Sequence, residues 1–157
     1  MAFTIEDCKI CVLHNGASVD GADQSCTEVD VGSCRRGILI LDIRPEAATS
    51  DISDVFLTTD EAATLTAADT VVPLTKGKYF LDSAPTAPAA LTIASDATAA
   101  YVFQGTTYGA TYMIQCENLE RYVQLWYDGQ GTTCEFTAVL LAYDGLEVPH
   151  AAATSAY

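Results

Sequence analysis

The sequence predicts an all-β protein: an antiparallel β-sandwich or jelly roll of about eight strands with an irregular N-terminal arm. Three observations carry that prediction. Segment after segment alternates apolar and polar residues with the two-residue period of an extended chain. Turn signals rich in Gly, Pro, Asn and Asp recur between those segments, with no βαβ rhythm and no internal repeat. Charged residues are only 18% of the chain against 50% hydrophobic, so Thr, Ser, Asn and Gln must cover much of the polar surface. That composition suits sheet faces better than long exposed helices.

The C-terminal third, Thr98 to Tyr143, organises the prediction. In Arg121-Tyr122-Val123-Gln124-Leu125-Trp126-Tyr127, alternation puts Val123, Leu125 and Tyr127 on one face and Tyr122, Gln124 and Trp126 on the other. Asp128-Gly129-Gln130-Gly131 tolerates the positive φ of a reversal, and Cys134 to Tyr143 returns as a second strand of a hairpin.

Upstream, residues 1–36 read as an irregular arm, because Asn15-Gly16, Asp20-Gly21 and Gly32-Ser33 are turn signals and apolar residues are sparse after Val12-Leu13. A sandwich domain follows over residues 37–148, and 149–157 reads as a loose tail. Ile38 to Ile43 is apolar on both faces, the mark of a central strand or of one under a covering arm, and Pro45 ends it. Asp54 to Thr58 is a strand, Thr59 to Ala68 a short helix capped by Thr59, and Thr70 to Leu74 a short edge segment with Pro73. Gly77 to Leu81 is a strand after a Lys-Gly turn, and Asp82 to Pro88 a stiff loop. Ala90 to Ala94, Ala100 to Gln104 and Tyr108 to Glu117 complete the set, with Tyr112, Ile114 and Cys116 sharing one face.

At 157 residues the chain is one ordinary domain with room for a sizeable core. Seven Lys plus Arg face 21 Asp plus Glu, and a net charge of -14 repels phosphate backbones, which argues against nucleic acid as a partner. No stretch approaches a membrane span, and Met1 to Asp7 has neither the basic nor the apolar region of a secretory signal, so the expectation is a product made in the cytoplasm.

Cysteines stand at 8, 11, 26, 34, 116 and 134. Cys8-Lys9-Ile10-Cys11 has the spacing of half a zinc knuckle, with His14, Cys26 and Cys34 as the available completing ligands, but a second close pair is missing. Buried thiols, disulfides and a metal site all stay open, in that order; no cofactor is expected.

Catalytic patterns are weak. His14 and His150 sit near the two ends, and neither Ser18 nor Ser155 lies in a strained nucleophile turn. Glu6-Asp7 and Asp60-Glu61 are adjacent pairs, which point opposite ways on an extended chain. Gly105, Gly109, Gly129 and Gly131 lack the lysine and helix of a phosphate loop, and Asp20-Gly21-Ala22-Asp23 breaks off before a calcium loop is complete. The chain is expected not to be an enzyme.

What remains is surface. Arg35 and Arg36 form the only adjacent basic pair, either a solvated strand end or an anchor on an acidic partner. Trp126 either packs in the core or serves an interface with Tyr122 and Arg121, since Trp, Tyr and Arg are the types enriched at hot spots. Candidate interface residues are therefore Arg35, Arg36, Arg121, Tyr122 and Trp126.

Arg121 to Tyr127, the turn Asp128-Gly129-Gln130-Gly131 and Thr137-Ala138-Val139-Leu140-Leu141 together resemble the C-terminal hairpin of the small capsid cement, or head decoration, proteins of tailed bacteriophages. Gly37 to Asp42 matches the early apolar strand of that family less specifically. The resemblance implies a jelly-roll-like sandwich that forms a small homo-oligomer, a dimer or trimer, on the outer surface of the virion head. There it would clamp neighbouring copies of the major capsid protein, with no catalytic residue to carry over. Cys8, Cys11, Cys26 and Cys34 have no counterpart in that family. Another expectation is a glycan- or receptor-binding sandwich on a virion or tail, stacking sugars on Tyr108, Tyr112 or Trp126. A tail or collar component is a third.

Overall fold

The computed structural model describes residues 8–19, 23–45, 51–81, 84–91, 101–104, 109–128 and 134–143. Among them there is no helix, and the strands form two antiparallel sheets. The first holds β1 (Lys9–Val19), β12 (Cys134–Tyr143), β4 (Arg36–Pro45), β10 (Ala110–Glu117), β7 (Leu74–Leu81) and β8 (Ala84–Leu91), in that spatial order. The second holds β2 (Asp23–Ser25), β11 (Tyr122–Asp128), β5 (Asp51–Asp60) and β6 (Thr70–Val71), with β3 (Val29–Asp30) also on β11 and β9 (Tyr101–Gln104) also on β5. The order β1-β12-β4-β10 in one sheet and β2-β11-β5-β6 in the other is that of a jelly roll. The β7–β8 pair widens the first sheet beyond β10.

Inward side chains of both sheets meet in a single core. From the first sheet come Leu39, Leu41 and Ile43 of β4, Tyr112, Ile114 and Cys116 of β10, and Leu140 of β12. Val55 and Leu57 of β5 and Val123, Leu125 and Tyr127 of β11 face them. Each such Leu contributes roughly 1.5–3 kcal/mol through burial. Two faces predicted by alternation, Val123/Leu125/Tyr127 and Tyr112/Ile114/Cys116, are the buried ones. Ile38 to Ile43 is indeed central, flanked by β12 and β10.

The structure corrects several local expectations. The N-terminal segment is no irregular arm: β1, β2 and β3 are members of the two sheets, so the sandwich begins at Lys9 rather than at 37. Asn15-Gly16, a turn signal in sequence, instead lies in β1 where the register with β12 shifts, and Gly16 there has φ +82°. A bulge in an edge strand uses the same residues as a turn. The tail, 149–157, lies outside the described residues.

The C-terminal hairpin is also replaced. β11 pairs with β2, β3 and β5, whereas β12 pairs with β1 and β4, so consecutive strands cross between sheets. Instead of a helix over 59–68, Thr59 is a buried residue of β5 and the chain then turns. Asp60 Oδ1 accepts the Ala62 N–H, and Glu28 Oε2 accepts the N–H groups of Thr64 and Leu65, each at 2.8 Å for the Glu28 pair. Glu28 thereby satisfies two donors that a helix would have bonded internally. Lys76-Gly77 lies within β7 and makes no turn, while the 82–88 loop is largely β8. Pro85 and Pro88 are tolerated there because β8, among the described strands, is outermost and pairs on one side only.

One end of the sandwich is closed by the connection from β10 to β11. Asn118 takes a left-handed φ of 59°, an angle Asn accepts more readily than most residues. That turn drops Leu119 into the core at 1% exposure. Thr59 holds it from the other sheet: its hydroxyl donates to the Tyr122 carbonyl at 2.9 Å and accepts the Glu120 N–H at 2.7 Å.

Candidate interaction surfaces on the two outer faces

Both sheets turn a second face outward, and the predicted interface residues divide between them. Tyr122, Gln124 and Trp126 point out of β11, opposite its buried face. Trp126 stacks on Phe56 of β5 with ring centroids 6.3 Å apart and planes 10° from parallel. Its indole N–H donates to Thr58 Oγ1 at 2.9 Å. Gln124 Nε2 donates to the Cys26 carbonyl at 2.8 Å, while its buried Oε1 has no protein partner. Trp126 is thus neither in the core nor proud of the surface: it lies half-buried, held along the sheet.

Arg121 and Arg35 sit at the same end of the sandwich, just before β11 and β4, with partners inside the chain. Arg121 donates through Nε and Nη2 to Asp30 Oδ2, at 3.2 and 3.1 Å, and its guanidinium carbon lies 5.1 Å from the Tyr122 ring centroid. Arg35 Nη1 reaches Glu61 Oε1 at 3.0 Å and the Leu119 carbonyl at 3.1 Å. The N–H of Gly32, then Arg121, hold the Asp30 carboxyl below its ordinary range. A depressed carboxyl stabilises the fold above its unfolded range and loses that contribution as pH falls through its folded value. Because the pair is open to solvent, its weight is small. These two arginines secure loops, and Arg36 belongs to the first sheet.

The outward face of the first sheet is different in kind, and the sequence reading missed it. All three exposed large hydrophobic residues among those described, Ile10, Val12 and Met113, lie on it. Ile38, Ile40, Val139 and Leu141 lie between them, half-buried. Beside β7 the face dips into an open hollow of about 440 Å³ bounded by Ile38, Lys76, Lys78, Phe80, Met113 and Gln115. The available signal was the apolar character of Ile38 to Ile43 on both faces, taken in the sequence as the mark of a central strand or of one under a covering arm.

A second cleft, about 380 Å³, opens at the seam between β1 and β2, lined by His14, Asn15, Ser25, Cys26, Thr27 and Tyr127 among others. His14 packs edge-on to Tyr127, with ring centroids 5.8 Å apart at 80°. His150 and Ser155 lie outside the described residues, as does the side chain of Ser18. No group of three or more His, Cys, Asp or Glu suited to a metal occurs among the described residues, so Cys8, Cys11, His14, Cys26 and Cys34 do not converge on one.

Burial governs the cysteines. Desolvation pushes the Cys26 and Cys116 thiols up to about 12, and raises Cys11 as well. A thiol that does not ionise is a poor nucleophile. In native protein at pH 8, iodoacetamide should therefore label half-buried Cys8 and Cys34 well before Cys11, Cys26 and Cys116, which react only after denaturation. Peptide mass spectrometry over a time course reads the order; early labelling of Cys116 would contradict this burial.

No family model, curated protein sequence or solved structure matches the chain. Fold and faces therefore define its class, a jelly-roll β-sandwich with one apolar outer sheet face.

Proposed function

We propose that the chain is a structural virion protein that binds the outer surface of a phage head and clamps neighbouring major capsid subunits, stabilising the shell. The observation that supports this best is the apolar outer face of the first sheet, on a chain of net charge -14. Gripping a neighbour takes a stiff scaffold and apolar area to remove from water, and contiguous apolar patches mark such contacts. Acidic residues over the remaining surface keep a many-copy protein soluble and off nucleic acid. In this reading the protein performs no catalysis, needs no cofactor, and joins the head as a dimer or trimer after synthesis in the host cytoplasm. The hairpin behind the family resemblance is absent, so the reading rests on the sandwich and its face.

Glycan stacking has less support. Tyr112 is 6% exposed inside the core, Tyr108 lies outside the described residues, and Trp126 is already covered on one side by Phe56. Heads assembled without the protein should release DNA at a lower temperature, read by a DNA-binding dye during heating, and added purified protein should restore the transition. Equal heat stability with and without it would refute the clamp.

A further inference from the structure

We propose that the outward face of β1, β12, β4, β10 and β7 is the docking surface, and that it receives a protein surface whose apolar side chains are bordered by carboxylates. The clamp reading supplies the occupant, a shell subunit; the face and the chemistry of its complement are new.

Strand register builds the face in rows. One runs Ile10, Leu141, Ile38, Gln115 and Lys76 across the sheet. The next runs Val12, Val139, Ile40, Met113 and Lys78. Each row is apolar from the β1 edge to β4 or β10 and ends in a lysine on β7. Five strands about 4.8 Å apart make the patch roughly 20 Å wide, enough for about half of a standard interface. A contact of that size is weak singly and becomes firm when many copies share one shell.

Charge selects the partner. Arg36, Arg44, Lys76 and Lys78, four of the chain's seven basic residues, point from this face. The acids described on it are Asp42, Glu117 and Glu135, and Asp42 is already paired with Arg44 at 3.1 Å. No carboxylate among the described residues pairs with Lys76 or Lys78, in a chain with 21 acids. Two such lysines at the margin of an apolar hollow suit an acidic border on whatever covers it. A second copy fits less well, since it would bring the same lysines to the same face. Nucleic acid is disfavoured by the net charge and by the apolar rows.

The test uses heads assembled without the protein, with labelled full-length chain added and pelleted at several salt concentrations. Val12→Asp with Met113→Asp should weaken binding about 100-fold or more, because the new charges would be desolvated on docking. Lys76→Glu with Lys78→Glu should weaken it about 10-fold and flatten its salt dependence. Ala67→Lys, in the exposed turn before β6 and remote from the face, should bind as wild type does. These sites are exposed, so circular-dichroism melts of all variants should overlay that of wild type. If wild type binds and the face variants bind equally well, the face is wrong while the clamp stands. Tighter binding of the lysine reversal would overturn the acidic border. If wild type does not bind heads, clamp and docking face fall together. Analytical ultracentrifugation showing a wild-type dimer that Val12→Asp with Met113→Asp dissociates would assign the face to a second copy and overturn the proposal.

Discussion

Leu125→Ala and Leu57→Ala should each lower the free energy of unfolding by about 3–5 kcal/mol, a large share of the roughly 5–15 kcal/mol that holds a domain together. The two residues are cross-strand partners on β11 and β5, and both are fully buried. They lie where the second sheet packs on the first, so removing either leaves a cavity that stiff strands on both sides cannot close. Val12→Ala, at 55% exposure on the outer face, should cost less than about 1 kcal/mol. Urea denaturation with a common slope measures all three. The contrast matters for function as much as for stability. If the outer rows matter for docking, trimming them should leave the fold intact, whereas trimming the inner rows should not. The double variant Leu57→Ala with Leu125→Ala should cost less than the sum of the singles, because they share one void. Equal losses at Val12 and Leu125 would mean that the apolar outer rows are part of a core.

What the sequence made legible was alternation, and alternation tells which residues share a strand face. Val123, Leu125 and Tyr127 were assigned from it correctly, as were Tyr112, Ile114 and Cys116. It says nothing of which strands pair. β11 and β12 are neighbours along the chain and belong to different sheets, because the jelly-roll crossing is set by closure of the whole core. Local punctuation failed for a related reason. Asn15-Gly16 and Pro85 to Pro88 are the residues of turns, yet an edge strand or a bulge accepts the same positive φ or missing donor, while Gly77 takes no positive φ and pairs with both neighbours inside β7.

The five interface candidates divide between the two sheets, and Arg36 points from the outward face of the first one. Arg35, Arg121, Tyr122 and Trp126 were chosen by residue type, and three of the four carry polar contacts inside the chain. A guanidinium already held by Asp30 or Glu61 has little left to offer a partner without first losing that contact. The face that has apolar area and unclaimed cations is made of Ile, Val, Leu, Met and Lys, types that composition alone assigns to cores and solvated edges. Only the register, which places outward residues of five strands side by side, turns them into a surface.

Gly37→Ala should destabilise the protein by about 2–3 kcal/mol, although alanine is ordinarily the better strand residue. A Cβ at Gly37 would stand 2.7 Å from Leu140 Cδ1, and 3.3 Å from both Leu119 Cδ1 and the Leu141 carbonyl oxygen. Leu140 is a flexible side chain, but it is fully buried and has no free volume to swing into. Moving Leu119 instead would disturb the turn closing this end, where the Leu119 N–H donates to the Arg35 carbonyl at 3.0 Å and Arg35 returns a bond to the Leu119 carbonyl. Gly37→Val, with two more methyl groups in the same space, should cost more still and broaden the unfolding transition. Adding Leu140→Val to Gly37→Ala trims the clashing methyl and should recover part of the loss, so the cycle of single and double variants separates a steric clash from a conformational effect of the glycine. No recovery in that double variant, or a Gly37→Ala protein as stable as wild type, would mean that β4 and β12 are not packed at this point as closely as the structure places them.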